Sequence, residues 1–526
     1  MSAANKIRIE INEPPARRPS LKLNALSNWV VLAVNVIIGF LLTPYIISSI
    51  GKEGYGIWRL IASFIGYFGL LRFGVGSAII RYVPLYDGRS EHRRVCGTVS
   101  TALSIYVGIG FLILLISFFG SGFLAGFFGE GRDFMLLVKL VGLAAAIECP
   151  VAILDATIRA REKYVGANLL RLCTSLFRAI SIFVVLWLGY GFVGMGWVTV
   201  ATAVISLLLS IVGLFKFCQD IRISISDIQT SYARELFSFG IFVTLAGLGL
   251  LLVYQSDKVI IGKFINMEVV GIYSVVAIMM FYYRELSGVL ARILVPRFGY
   301  LDGLGNQEQK VALFLKSSNA VTNIASGIGV VLLLVGPSFI RLWVGPGFES
   351  AYQALFVLGI AHILYESQTP STSILAGSGK QGTIAAFAII EGISVVILSV
   401  LLVQGYGLTG VAVAIAIPMV VIGAVTCPLY VCYAFNIKMS EYYLKCILKP
   451  WALLVLFGLG GCLLRPQAFL TSWTSLVVFS MIVGFMYALA SYHFALRPEV
   501  KRVAEGLMGH MPFSKDLSSL KTRDGG

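Results

Sequence analysis

The chain has 526 residues, of which 58% are hydrophobic and only 13% are charged, and its mean hydropathy is +0.87. Soluble domains carry about 25% charged residues, so this composition excludes a soluble globular protein and predicts an integral membrane protein. Lys and Arg in cytoplasmic loops explain the formal net charge of +15. Because no basic patch accompanies a nucleic-acid reading module, nucleic acid is not an expected partner.

Motifs for catalysis, metal binding and secretion are absent from the sequence. The eight cysteines form no CxxC pair, the four histidines are dispersed, and there is no HExxH, GxSxG or P-loop motif. We therefore expect no catalytic residue, no metal and no resident cofactor. The first 22 residues are polar and predict a disordered cytoplasmic tail rather than a signal peptide.

Apolar runs of about 20 residues recur along the chain and predict about fourteen transmembrane helices. The second and eighth runs, residues 56–84 and 269–296, are each predicted to be one continuous helix. An even number of helices places both termini on one side of the membrane. About 28 of the 41 Lys and Arg then lie on the side of the termini, which the positive-inside rule makes the cytoplasm.

Three motifs occur twice, about 215 residues apart. They are IGKEGYGIW from Ile50 with IGKFINMEVVGIY from Ile261, RYVPLYDG from Arg81 with RILVPRFGYLDG from Arg292, and LGYGFVGMGWVTVATAV from Leu188 with QGYGLTGVAVAIAIPMV from Gln404. Such spacing predicts two six-helix repeats related by a pseudo-two-fold axis along the membrane normal, with a substrate site between them.

The predicted fold is an all-α polytopic membrane protein with two six-helix repeats and two further C-terminal helices. Its segments are a disordered tail (1–22), the first repeat (23–216), a cytoplasmic connector (217–234), the second repeat (235–435), a C-terminal helix pair (436–496) and a cytoplasmic tail (497–526).

Basic residues inside the predicted spans indicate ion pairs or a substrate path, because each costs about 2.5 to 3.5 kcal/mol at a helix centre. A guanidinium group can donate two parallel hydrogen bonds to phosphate oxygens. These residues are therefore candidates for binding an anionic substrate. The candidates are Arg59, Arg72, Lys139, Arg171, Arg178 and Arg284. Arg72 and Arg284 lie on helices two and eight, which occupy matching places in the two repeats.

The antiparallel fourth and fifth helices place Asp155 at the depth of Arg171, and Glu148 at the depth of Arg178. These residues either form interhelical ion pairs that hold the two helices together, or line a cavity in which the carboxylates orient the arginines. Arg59 likewise has two interpretations, because it either binds substrate or extends its guanidinium to the nearby outer interface.

Three embedded carboxylates, Asp257, Glu366 and Glu391, are candidates for binding a coupling ion. Glu366 and Glu391 lie at equal depth on the tenth and eleventh helices, and two neighbouring carboxylates favour uptake of a proton. If the two side chains point apart, each instead pairs with a basic group. A proton or a sodium ion is the expected coupling ion.

Several stretches resemble the oligosaccharide flippases of the O-antigen type, in the multidrug/oligosaccharidyl-lipid/polysaccharide exporter superfamily. They are IGKEGYGIW, FGVGSAIIRYVP, SDKVIIGKFINMEVVGIYSV and the GYG before the sixth and twelfth spans, and the resemblance covers residues 22–440. It implies ion-coupled alternating access that moves a polyprenyl-pyrophosphate-linked oligosaccharide across a bacterial inner membrane for cell-surface polysaccharide, such as lipopolysaccharide. Besides lipid bilayer and lipid-linked glycan, it implies a polysaccharide polymerase and chain-length proteins as partners.

The stretch LLRFGVGSA around Arg72 is similar to the second-helix arginine segment of lipid II flippases, which implies that Arg72 contacts substrate. Two other functions stay open. A drug or organic-cation antiporter has the same fold, although embedded Arg and Lys disfavour a cationic cargo. A membrane-embedded glycan polymerase or ligase handles the same lipid carrier but needs acidic or His catalytic groups, and the predicted outer loops are short.

Overall fold

The computed structural model describes residues 21–464 and 466–496, so the predicted tails lie outside it except for residues 21 and 22. The described residues are helical, with no strand among them. The α-helices are α1 (Leu21–Leu70), α2 (Val75–Gly88), α3 (His92–Phe128), α4 (Arg132–Ala160), α5 (Tyr164–Trp187), α6 (Gly191–Phe217), α7 (Thr230–Phe264), α8 (Met267–Ser287), α9 (Val289–Gly303), α10 (Gln307–Val344), α11 (Ala351–Glu366), α12 (Thr369–Gly377), α13 (Gln381–Pro418), α14 (Cys427–Ala434), α15 (Met439–Tyr442), α16 (Leu448–Leu463) and α17 (Trp473–Ser491).

Among the described residues, eleven helical runs are long and apolar enough to cross a membrane. The runs Leu26–Leu70 and Gln381–Ala434 have 45 and 54 residues, far more than the roughly 20 that one crossing takes. Each kinks at a glycine with positive φ, Gly51 (72°) or Gly407 (54°), a conformation that glycine adopts without strain. The predicted all-α polytopic membrane fold is confirmed, whereas the count of fourteen spans and the segment boundaries stay predictions.

The second predicted span, residues 56–84, is not continuous. Helix α1 ends and α2 begins on either side of a short break in which Phe73 and Gly74 have positive φ of 46° and 62°. The prediction of one helix is therefore wrong here. Arg72 lies within the break, and its backbone oxygen accepts a hydrogen bond from the Tyr106 hydroxyl at 2.9 Å.

The eighth predicted span, residues 269–296, is also interrupted. Helix α8 ends at Ser287 and α9 begins after Gly288, so the prediction of one helix is wrong here as well. Arg284 lies in the last turn of α8. The two breaks occur at matching places in the two repeats, and discontinuous helices in membrane proteins expose backbone polar groups beside cavities rather than to lipid.

Two aspartates of the repeated motif form similar ion pairs at one end of the bundle. Asp87 Oδ2 lies 2.9 Å from Arg161 Nε. Asp302 Oδ1 lies 2.5 Å from Lys310 Nζ, which also lies 3.4 Å from Ser378 Oγ. We call this the inner end, because the distribution of charged residues predicts that it faces the cytoplasm.

The ion pair of Asp302 is expected to stabilise the protein. We expect Asp302→Asn to lower the free energy of unfolding by about 2 kcal/mol, because Lys310 is only 1% exposed and loses its counter-charge. The hydrogen bond from Lys310 holds the pKa of Asp302 below its usual value. The contribution of this ion pair to stability is therefore present at pH values above the unfolded-state pKa of Asp302, near 4. It disappears as the pH falls through the lower folded-state pKa.

Thermal unfolding in detergent at a series of pH values measures both effects. The control is Glu308→Gln, which removes an exposed carboxylate from the first turn of α10 and should cost less than about 1 kcal/mol. Equal unfolding temperatures for Asp302→Asn and the wild type at neutral pH would contradict the prediction.

At the opposite, outer end, α1 and α8 approach each other backbone to backbone. A Cβ atom on Gly56 would lie 1.8 Å from the carbonyl oxygen of Met267, and one on Gly271 would lie 2.2 Å from the carbonyl oxygen of Lys52. The Lys52 ammonium group donates a hydrogen bond to the Gly347 carbonyl oxygen at 2.6 Å. These contacts join the two repeats at the outer end.

The C-terminal helices attach to the second repeat through α10. The Ser491 hydroxyl donates a hydrogen bond to Asn323 Oδ1 at 2.6 Å, and a Cβ atom on Gly327 would lie 2.9 Å from the Tyr487 ring. Because α17 lies beside α10, it forms one wall of an apolar groove that continues to α1 and α8.

Candidate functional site

A cavity of about 480 Å³, which we call the central cavity, lies between the repeats and is lined by α1, α7, α8, α11 and α13. Arg59, Lys258 and Arg284 line it together with one carboxylate, that of Asp257. Among the described residues of its wall, three positive groups and one negative group leave an excess of two positive charges. Such a cavity is suited to an anionic ligand.

Arg59 faces this cavity rather than the outer interface. It follows the Gly51 kink in α1, and its Nε atom is buried without a hydrogen-bond partner among the described residues. A buried donor without an acceptor costs about 1 to 3 kcal/mol. A ligand with anionic oxygens would supply the missing acceptor.

Lys258 is a cavity residue that the sequence analysis missed. It is 3% exposed, and its Nζ donates hydrogen bonds to Asp257 Oδ1 (3.1 Å), to Gln255 Oε1 (3.2 Å) and to the Tyr254 carbonyl oxygen (3.1 Å). The predicted ion-binding residue Asp257 is therefore paired with its neighbour in this state. The adjacent opposite charges of the SDK motif, inside an apolar run, were the available signal.

A second cavity, of about 630 Å³, lies within the second repeat. We call it the acidic cavity, after Glu285, Glu366 and Glu391 in its wall. Arg284 and Tyr254 line both this cavity and the central one, and the Arg284 guanidinium lies 4.1 Å from the centre of the Tyr254 ring, a cation–π contact. Glu366 and Glu391 therefore share one cavity instead of pointing apart.

Three of the predicted substrate residues lie elsewhere. Arg72, Arg171 and Arg178 line a cavity of about 360 Å³ inside the first repeat, between α4, α5 and α6. Arg171 Nη2 donates a hydrogen bond to Asp155 Oδ2 at 2.8 Å, which confirms that predicted pair, and Glu148 lines the same cavity. This first-repeat cavity contains an ion pair in its wall and shares no lining residue with the central cavity.

Lys139 does not line the central, acidic or first-repeat cavity. Its Nζ lies 4.6 Å from the centre of the Phe118 ring, between α4 and α3. Phe118 is 56% exposed, as expected of a side chain that faces lipid. The six predicted basic residues are thus divided among three places, and only Arg59 and Arg284 of that set line the central cavity.

An apolar groove of about 460 Å³ adjoins the central cavity and is lined by α1, α8, α10 and α17. Phe40, Phe339 and Trp343 belong to its wall. Tyr282 lines both the groove and the central cavity. A Cβ atom on Gly39 would lie 2.6 Å from the Tyr282 hydroxyl, so a small residue in α1 lets Tyr282 occupy the boundary between the two.

Repeated helical units around a charged cavity at the repeat interface are the architecture of membrane transporters. The fold is similar to an inward-facing multidrug resistance MATE family transporter of the MOP superfamily, with a TM-score of 0.67 and 17% identity over 77% of this chain and 98% of that one. It is equally similar to the lipid II flippase MurJ in an inward closed conformation, with a TM-score of 0.67 and 15% identity over 91% and 100% of the two chains.

A family model described as "Polysaccharide biosynthesis protein" matches residues 50–353, and the chain belongs to this family. The family confirms the resemblance seen in the repeated motifs. The chain is 24% identical to the uncharacterized membrane protein EpsK of Bacillus subtilis over 91% of this chain and 96% of that one. It is 22% identical to a putative O-antigen transporter of Shigella flexneri, over 76% of this chain and 95% of that one. It is also 22% identical to the probable flippase AglR of Haloferax volcanii, over 73% of this chain and 77% of that one.

Proposed function

We propose that the protein is a flippase that moves a polyprenyl-pyrophosphate-linked oligosaccharide across the membrane for cell-surface polysaccharide biosynthesis. The observation that carries this proposal is the position of Tyr282 between a cavity with excess positive charge and an apolar groove. An anionic head group and an apolar tail can therefore bind side by side. The names of the relatives, an O-antigen transporter and a flippase, support the same function.

The pyrophosphate would bind in the central cavity. Arg59 and Arg284 offer guanidinium groups for paired hydrogen bonds to phosphate oxygens, and Lys258 adds a compact positive charge. The polyprenyl tail would remain in the apolar groove and the adjoining lipid, where its burial requires no polar partner. This arrangement lets the head group cross while the tail never leaves an apolar environment.

We further propose that uptake of a proton or a sodium ion by Asp257, Glu366 and Glu391 drives the cycle. Glu366 and Glu391 are 1% and 3% exposed, and a cation bound beside them changes the field at Arg284, which faces the same cavity. Such a change would favour one access state over the other. Glu366→Gln and Glu391→Gln should make the rate of transport independent of the ion gradient.

The proposed setting is the inner membrane of a bacterium, with both termini in the cytoplasm, as the charged loops predict. There the protein would receive its lipid-linked glycan from the cytoplasmic leaflet and pass it to a polysaccharide polymerase and chain-length proteins. A protease added to right-side-out membrane vesicles should leave an epitope at the C-terminus intact.

A drug or organic-cation antiporter is the second candidate function. The carboxylates of Glu285, Glu366 and Glu391 in one cavity favour a cationic cargo, and the solved MATE transporter has the same fold. A glycan polymerase or ligase, the other function left open by the sequence, gains no such observation in the described part of the chain.

Reconstitution into liposomes separates these functions. The wild type should exchange a fluorescent polyprenyl-pyrophosphate oligosaccharide between leaflets, measured by quenching from outside, and should leave the uncharged polyprenol analogue in place. Protein-free liposomes supply the background rate. Extrusion of organic cations under a proton gradient, without movement of the anionic lipid, would replace the flippase proposal with the antiporter.

A further inference from the structure

The acidic cavity continues the central cavity beyond Arg284 and Tyr254, which line both. Its volume of about 630 Å³ is in the range of cavities that hold a drug-sized ligand. If a phosphate is bound by Arg284 in the central cavity, the chemical group attached to that phosphate lies at the entrance of the acidic cavity. In the proposed substrate this group is the first sugar.

Two buried side chains in the wall of the acidic cavity have polar atoms without a partner in the described part of the chain. Gln368 is 2% exposed and its Nε2 has no acceptor, although its Oε1 accepts a hydrogen bond from the Tyr442 hydroxyl. Glu391 is 3% exposed and its Oε1 has no donor. Because unpaired buried polar atoms are rare and costly, one donor and one acceptor that line the same cavity indicate a ligand that carries both functions.

A sugar hydroxyl is such a group, since its oxygen accepts from an amide while its hydrogen is donated to a carboxylate. A bare cation has no acceptor for the Gln368 amide. Tyr254, Tyr365 and Phe387 also line the cavity and offer aromatic surface to the apolar face of a sugar ring. The combination of aromatic surface with a few buried polar groups is typical of small-molecule sites.

The charges of the cavity restrict the sugar further. Among the described residues of its wall, Glu285, Glu366 and Glu391 occur with one guanidinium, that of Arg284. A uronic acid or another acidic sugar would bring a fourth carboxylate into this cavity, where like charges repel one another at short distance. A neutral or amino-bearing sugar avoids that cost, so the cavity discriminates by repulsion as well as by attraction.

We propose that the acidic cavity is a glycan subsite that binds the sugar next to the pyrophosphate and selects neutral or amino-bearing sugars over acidic ones. This inference rests on the proposed flippase function and names the sugar class of its substrate. Gln368 is the residue that tests it, because Gln368 carries no charge and is not among the proposed ion-binding residues.

The experiment compares the full-length wild type and Gln368→Met in lipid nanodiscs. The ligands are polyprenyl pyrophosphate, the same lipid with a neutral disaccharide, and the same lipid with a uronic acid as its first sugar. Gln368→Met should weaken binding of the neutral glycolipid about five- to tenfold, the value of one buried hydrogen bond, and leave the affinity for the bare carrier unchanged. The wild type should bind the acidic glycolipid at least about tenfold more weakly than the neutral one.

Two further variants are controls. Gln353→Met makes the same substitution on α11, outside the central and acidic cavities, where Gln353 Oε1 accepts a hydrogen bond from the Thr409 hydroxyl at 3.0 Å, and it should bind all three lipids like the wild type. Tyr442→Phe removes the hydroxyl that donates to Gln368 Oε1 and should keep the preference for the neutral glycolipid, because that hydroxyl is not proposed to contact the sugar.

The outcomes separate this inference from the flippase proposal. An equal loss of affinity for bare and glycosylated lipid in Gln368→Met, or equal wild-type affinities for neutral and acidic glycolipids, would overturn the glycan subsite alone. Failure of the wild type to bind any of the three lipids would overturn the flippase function on which the subsite rests.

Discussion

Arg284→Ala should weaken binding of polyprenyl pyrophosphate about 10- to 100-fold, because a hydrogen-bonded charge contributes about 1.5 to 3 kcal/mol. Arg284 lines the central cavity, is held over the Tyr254 ring at 4.1 Å, and faces the acidic cavity as well. Fluorescence titration in nanodiscs measures the affinity, and leaflet exchange in liposomes should fall with it.

The matched control is Arg171→Ala, which removes a guanidinium from the first-repeat cavity. Because Arg171 is paired with Asp155 there, we expect this variant to lose thermal stability while its affinity for the lipid changes less than about twofold. Arg284→Lys should lie between the wild type and the alanine variant, since an ammonium keeps the charge without the paired donors. Equal losses of affinity in Arg171→Ala and Arg284→Ala would contradict the assignment of the head group to the central cavity.

Gly56→Ala should open the outer end of the protein. The new methyl group would lie 1.8 Å from the Met267 carbonyl oxygen, and overpacking of this kind costs about 1 to 3 kcal/mol. That cost raises the equilibrium constant for opening of the outer end by about 5- to 100-fold. A cysteine introduced at Thr43, a central-cavity residue that is 6% exposed, should then react correspondingly faster with an impermeant maleimide added from outside.

Gly69→Ala is the control for this prediction, because it lies on the same helix and a Cβ atom there meets nothing within 4 Å. Alanine favours a helix over glycine by about 1 kcal/mol, so this variant should keep the wild-type labelling rate. The contact of Lys263 Nζ with the Phe127 carbonyl oxygen at 2.6 Å also closes the outer end and is unaffected by either change. Identical labelling of the two glycine variants would show that close packing of α1 on α8 does not hold the outer end closed.

Composition, charge and the depth of residues along each helix were enough to predict the class of the protein and the pairing within helical hairpins. Hydropathy and charge distribution report directly on the membrane, because apolar residues are favoured in lipid and Lys and Arg are enriched in cytoplasmic loops. The Asp155–Arg171 pair was predictable because a tight turn fixes the depth of both residues in adjacent antiparallel helices. The same argument placed Glu366 and Glu391 at equal depth, and both line the acidic cavity.

Which charged residues lie in the same cavity depends on how helices distant in the sequence pack together. Arg72 and Arg284 occupy similar places in the repeats, yet Arg72 lies in the first-repeat cavity and Arg284 between the central and acidic cavities. Lys258 became a cavity residue because α7 turns that face toward α1 and α8. Depth along a helix follows from residue number, whereas the direction of a side chain around the helix depends on kinks, breaks and contacts with distant elements. Apolar residues surround these helices on lipid-facing and protein-facing sides alike, so hydrophobic periodicity carries little information about that direction.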